Sequence, residues 1–293
     1  MCELFAASAR RPVNVNLSFE TFSRRGGATG PHADGWGIAF FEGPDAQILR
    51  ESEAAAHSEC ARFVEHHDLR SNLVISHIRK ATMGARTLRN TQPFARELGG
   101  RLHVFAHNGN LENLRRQPWR RLDAYLPLGD TDSEQAFCTL MGEMRGLWRR
   151  VQGLPPLADR LEVVSTFAHR ISRLGPANFL YSDGDVLFAH GHRRTQEDGS
   201  IVAPGLHLLR RTCTEPTVHE LEGAKIRTDT ARQEVVLIAS RPLSDEPWQP
   251  LMEGEIVAIA NGRVLANSLP PPRREYGTAT TSADGDAALV AAG

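Results

Sequence analysis

Two Asx-Gly dipeptides constrain this chain more than any other local feature. Asp183-Gly184 separates the apolar stretches 179–182 and 186–189, and Asn261-Gly262 separates 256–260 from 264–265. Such dipeptides supply the positive φ values of a two-residue turn and so join antiparallel strands into hairpins. A further hairpin is expected over 37–50 around Gly43-Pro44-Asp45, and strands at 2–7, 73–78, 102–106 and 235–239.

The helical signals lie between these strands. In 133–147, Ala136, Phe137, Leu140, Met141, Met144 and Leu147 form one apolar stripe, and Thr131 with Glu134 has the spacing of a capping box. A second helix is expected over 156–174, stopped by Gly175-Pro176, and another over 53–67. Strands at both ends with helices in the middle predict an α+β layered sandwich and not a repeating βαβ chain.

An apolar fraction of 41% and a charged fraction of 24% are those of an ordinary globular protein. A net charge of −1 leaves no electrostatic footprint for nucleic acid or an anionic membrane, and neither partner is expected. There is no apolar run long enough to span a membrane, and residues 1–20 lack a secretory pattern, so a cytoplasmic location is expected. Cys2, Cys60, Cys138 and Cys213 form no C-x-x-C pair, and no ligand set completes His190-x-His192, which argues against zinc and disulfides. No cofactor is expected. The tail 270–293 is rich in Pro, Gly, Ala, Ser and Thr and is expected to be disordered, leaving 1–269 as the folded domain.

Several residues could carry chemistry. Removal of Met1 would give Cys2 a free α-amine beside its thiol; an amine titrating at about 7.7–8.0 can act as general base for a thiol at about 8.5. Cys2 could equally be a small apolar residue starting a strand. Asn108-Gly109 follows a strand and could offer an amide side chain and a backbone N–H to an oxyanion, or could form an ordinary turn. Arg79, at another strand end, suits a bidentate clamp on a carboxylate, although a surface arginine is the simpler reading. Asp132 lies in a capped first helical turn, where it could complement the helix dipole or meet a substrate ammonium. Gly35 and Gly37 flank Trp36 as if the backbone closely approached a ligand or another strand, with His32 and Asp34 as possible supporting groups.

The order of these elements is more specific than any one of them. Cys2, the Asp-Gly-x-Gly at 34–37, His-x-Arg-x-x-Thr at 77–82, His-Asn-Gly-Asn at 107–110 and Thr-Asp-Ser-Glu at 131–134 together resemble the glutaminase domain of class II glutamine amidotransferases, which are N-terminal-nucleophile hydrolases. "RRGG" at 24–27, "TQPF" at 91–94 and "ASRPLSDEPWQPLMEGE" at 239–255 are most similar to stand-alone bacterial members, and the resemblance spans about 2–268.

The resemblance implies a four-layer αββα sandwich. It implies that Cys2 attacks the side-chain amide of glutamine to give a glutamyl thioester, with Asn108 and Gly109 holding the oxyanion. Arg79 would hold the α-carboxylate and Asp132 the α-ammonium, with Thr82 lining the same pocket. A longer "RRGGATGPHADG" replaces the Arg-Gly-x-Asp element of better-known members. Those members fuse this domain to a synthase that consumes the ammonia; here the acceptor is left unknown, with an ammonia-accepting synthase partner as one option. Two alternatives predict other behaviour: a γ-glutamyl amide hydrolase, as in ergothioneine-type pathways, and a non-catalytic glutamine-binding protein.

Overall fold

The computed structural model describes residues 2–17, 35–55, 58–79, 85–122, 124–228 and 232–269. Thr82, His32, Asp34 and the tail 270–293 lie outside the described residues, so the expectations placed on them are not addressed by it.

Two antiparallel sheets organise the chain. In the first, β1 (Glu3–Leu17) pairs with β4 (Arg70–Ile78), which also pairs with β2 (Trp36–Glu42), and β2 forms the expected hairpin with β3 (Asp45–Glu51). The second contains β5 (Phe94–Leu98), β6 (Arg101–Gly109), β7 (Ala177–Ser182) and β8 (Leu187–His190). A short separate ribbon joins β9 (Arg194–Thr195) to β10 (Ile201–Val202). The first sheet continues from β1 through β14 (Gln233–Ala239) to β11 (His207–Cys213) and β15 (Gln249–Pro250), while β12 (Thr217–Leu221) and β13 (Ala224–Thr228) pair along the far half of β1. The second sheet ends in β16 (Ile256–Ala260) and β17 (Arg263–Ser268).

The Asn261-Gly262 turn forms as expected, with φ +51° and +73°; Asp183-Gly184 also lies in a hairpin, but Ser182 pairs with Leu187, so the loop is the four residues 183–186 and only Gly184 takes a positive φ, +78°. At 15 residues, β1 is more than twice as long as the expected strand over 2–7. The expected helix over 53–67 is shorter, α1 (Glu59–His66), because Ser58 accepts from Ala61 N and fixes a later N-terminus. The two central helices are α2 (Asp132–Trp148) and α3 (Leu157–Ser172).

Only half of the capping box forms. Thr131 Oγ1 accepts from Glu134 N at 3.2 Å, but the Glu134 carboxylate accepts from Leu128 N (3.0 Å) and Gly129 N (2.6 Å) and pairs with Arg96. Glu134 is almost fully buried and serves to fix the loop before α2. β11 went unanticipated because Arg210-Arg211 interrupts its apolar pattern, yet Arg211 is neutralised there by Glu246.

Three apolar cores account for the stacking. One packs Ala61 and Val64 of α1 on β1, β2 and β14; one joins residues of both sheets, including Leu4, Ile75, Val104 and Leu180; one packs Phe137, Met141, Phe167 and Ile171 of α2 and α3 on Phe105 and Phe179. Alternation along β1 sends Phe5 to the first core and Leu4 to the second, so the strand is buried on both faces.

Candidate active site

Strand register brings the sequence candidates to one end of the sheets. Glu3 on β1 and Trp36 on β2 both stand opposite Ile78 on β4, so Cys2, Arg79 and Gly35 extend the same row one residue further. Arg79 N donates to Gly35 O at 2.9 Å, and its guanidinium, 4% exposed in all, reaches Ala85 O at 3.3 Å. In the other sheet Asn108 faces Asn178 and Gly109 faces Ala177. The Asn108 Nδ2 donates to Cys2 O at 2.6 Å, which ties the ends of the two sheets together.

Gly109 is required by space. A Cβ there would lie 1.8 Å from Pro176 O and 2.8 Å from His107 Nε2. Gly37 is similarly closed, by Gln92 O at 2.3 Å, so the close approach foreseen around Trp36 is to the Gln92-Pro93 segment.

Asp132 opens α2 and is held by its own surroundings. Its Oδ2 accepts from Leu111 N at 2.7 Å and its Oδ1 from Ser133 N at 2.8 Å. Ser133 Oγ meets His107 Nδ1 at 2.9 Å, so the α2 N-terminus is fastened to the end of β6 on either side of Asn108. Each carboxylate oxygen retains capacity for another donor. The Gln92 side chain pairs with the His107 backbone like an added strand residue, accepting from His107 N at 2.6 Å and donating to His107 O at 3.1 Å.

The N-terminus has its own anchor. Leu4 N donates to Ser240 Oγ and Ser240 N to Leu4 O, both at 3.0 Å. The Glu3 carboxylate lies 3.3 Å from Arg194 and 3.9 Å from Arg241. Burial pushes the Glu3 carboxyl up despite both guanidiniums, and burial holds Arg194 below the usual guanidinium range. Arg194 also donates to Ser240 O.

Two histidines at this end are held neutral. His77, fully buried with neither ring nitrogen hydrogen-bonded, is lowered to about 3 by burial and then by His107 and Arg79. His107 is lowered by burial against the opposing pull of Asp132.

Of the six sequence candidates, Cys2, Arg79, Asn108, Gly109 and Asp132 are thus linked by register and hydrogen bonds. Gln92, Glu3, Arg194 and Asn178 were missed. Asn178 is fully buried; its Nδ2 donates to Asn108 O (3.3 Å) and Arg193 O (2.8 Å), and its Oδ1 accepts from His192 N (2.7 Å). Its only trace in the sequence is an amide inside an otherwise apolar strand.

The family model for glutamine amidotransferases class-II matches residues 1–282. The chain belongs to the class II glutamine amidotransferases. It is 33% identical over 279 residues, 93% of this chain and 89% of the other, to a Haemophilus influenzae protein named only provisionally as a glutamine amidotransferase. The crystal structure of a predicted glutamine amidotransferase from Pseudomonas aeruginosa PA01 is 34% identical, with a TM-score of 0.69 over 90% of this chain and all of that one. Glutamine phosphoribosylpyrophosphate amidotransferase from B. subtilis, at 14% identity, shares the fold alone: the TM-score is 0.53 over 91% of this chain and 49% of that one. The amidotransferase chain therefore has an N-terminal-nucleophile hydrolase-like fold, and no described helix is long and apolar enough to cross a membrane.

Proposed function

We propose that this class II amidotransferase hydrolyses the side-chain amide of glutamine through Cys2. The observation that carries the reading is the 2.6 Å hydrogen bond from Asn108 Nδ2 to Cys2 O, because it sets an amide donor beside the residue that bears the thiol. After loss of Met1, the α-amine of Cys2 takes the thiol proton and the thiolate attacks the amide carbon. Asn108 Nδ2 and Gly109 N–H stabilise the oxyanion, each such donor contributing about 3–4 kcal/mol. Collapse breaks the C–N bond, the amine returns the proton to departing ammonia, and water hydrolyses the glutamyl thioester.

Arg79 takes the α-carboxylate and Asp132 the α-ammonium in this reading, and Thr82 lines the same pocket. Burial of Arg79 at a strand end beside Cys2 supports its role, since a desolvated fork recognises a carboxylate strongly. The cores on both outer sheet faces and between the sheets support an αββα layering. The ammonia is released for an acceptor or partner that this reading does not name.

The test compares glutamate release from glutamine by fully processed protein and by protein retaining Met1. Only the processed form should turn over, because the Cys2 nitrogen is otherwise an amide. Equal turnover by both forms overturns the amine-as-base step. Faster release from larger γ-glutamyl amines than from glutamine would instead favour a γ-glutamyl amide hydrolase.

A further inference from the structure

Residues 85–92, which end in the first half of the TQPF motif, form a strap between the two sheets and the loop before α2. A single 3-10 turn, Leu88–Asn90, folds the strap, and Thr91 Oγ1 donates to Thr87 O at 3.0 Å. It is seated on the first sheet: Arg50 Nη1 donates to Thr91 O at 2.7 Å, and a Cβ on Gly37 would lie 2.3 Å from Gln92 O. Two of its buried side-chain amides, Asn90 and Gln92, bond to backbone groups that lead directly to site residues.

Gln92 acts on the Asn108 end. The backbone pairing of β5 with β6 stops at Phe94 and Phe105. Carried two residues further, the same register sets Gln92 opposite His107, and there the side-chain amide makes the pair instead. Its Oε1 accepts from His107 N at 2.6 Å and its Nε2 donates to His107 O at 3.1 Å. His107 O belongs to the planar peptide unit that leads into Asn108, so this bond fixes the plane from which Asn108 projects.

Asn90 acts on the other two groups. Its Nδ2 donates at 3.0 Å to Ala85 O, the same carbonyl that accepts from Arg79 Nη1 at 3.3 Å. Its Oδ1 accepts at 2.9 Å from Asp130 N, two residues before Asp132, and a Cβ on Gly129 would lie 2.2 Å from that oxygen. One amide, with its donor and acceptor in fixed relation, therefore ties the chain beside Arg79 to the loop that delivers Asp132. Removing it leaves two backbone groups short of a buried partner, which the loops relieve by moving.

We propose that Asn90 and Gln92 are positioning residues with separate effects: Asn90 aligns Arg79 with Asp132 for the glutamine head group, and Gln92 aligns Asn108 for the oxyanion. This rests on the roles given to Arg79, Asp132 and Asn108 above. Head-group contacts act in both the ground and the transition state, whereas an oxyanion donor acts in the transition state, so the two variants should split KM from kcat in opposite ways.

The test is steady-state glutamate release by processed protein, with folding checked by circular dichroism. Gln92→Met should lower kcat about tenfold with KM within about twofold, and Asn90→Ala should raise KM about tenfold with kcat within about threefold. Gln92→Glu and Asn90→Asp keep one of the two bonds each and should move the same parameter in the same direction by less. A merely structural role would lower the active fraction in both cases and move kcat alone. Folded variants that shift kcat and KM alike, or shift neither, overturn the proposal. Failure of the Cys2 reading shows itself separately, as processed wild-type protein that releases no glutamate. Calorimetric titration of Cys2→Ala protein with glutamine then still tests the Asn90 half: adding Asn90→Ala should weaken binding about tenfold and adding Gln92→Met should leave it unchanged. Equal affinities in the three proteins, or no binding by any of them, overturn it.

Discussion

The side-chain amide of Asn108 donates to the main-chain carbonyl of Cys2 at 2.6 Å, across 106 residues of sequence and from one sheet to the other. The contact exists because β6 ends at Gly109, where only a glycine clears Pro176 O, and because β1 begins where Ser240 and Arg194 hold it. A small movement of either strand end would separate the amide from the cysteine.

Asn178 is the residue that most directly fixes the Asn108 backbone from behind. Asn178→Ala would leave Asn108 O, Arg193 O and His192 N each short of a buried partner. We expect a stability loss of about 2–4 kcal/mol and a fall in kcat for glutamine of about tenfold, with KM nearly unchanged. Steady-state kinetics on protein shown to be folded by circular dichroism checks this; an unchanged kcat contradicts the positioning role.

The Glu3–Arg194 pair is predicted to matter through its imbalance when one member is lost. Arg194→Met leaves the buried Glu3 carboxylate only the more distant Arg241 and should cost about 2–4 kcal/mol, whereas the double variant Glu3→Gln with Arg194→Met should recover much of that loss. Urea unfolding of the two proteins measures the difference. A double variant no more stable than the single one contradicts the account.

Acid should destabilise the fold through histidines that it keeps neutral. Burial lowers His77 and His190 to about 3 and His103 to about 4, against about 6.5 in the unfolded chain. Between those values the unfolded chain binds more protons than the folded one, so stability falls as pH drops from about 6.5 towards 4. These three groups alone give a slope of up to about 4 kcal/mol per pH unit; His107, also lowered by burial, adds to it, while Glu3 and Glu143, displaced upward, each oppose it by up to one proton. Urea midpoints at about pH 7 and about pH 4.5 test the sign, and His190→Gln should make the slope shallower by up to about 1.4 kcal/mol per pH unit. A flat profile contradicts it.

Much of this architecture is written in local sequence, and the exceptions have physical reasons. Asp183-Gly184 and Asn261-Gly262 demanded their hairpins, and the stripe from Ala136 to Met144 demanded α2. β11 was hidden because Arg211 carries a charge whose partner, Glu246, is brought close only by the fold. Glu134 looked like half of a capping box, but the turn at Leu128 and Gly129 offered it two better-placed donors. Cys2, Arg79, Asn108, Gly109 and Asp132 could be named because their order along the chain resembles a family. Asn178 and Gln92 could not, since their significance lies in which distant backbone groups they meet.

The most direct test of the central claim is covalent labelling of Cys2 by a diazoketone analogue of glutamine, read by intact-mass and peptide analysis of the processed protein. The account predicts one adduct per chain, located on Cys2, prevented by excess glutamine and absent in Cys2→Ala. A folded, processed protein whose Cys2 stays unmodified would contradict it.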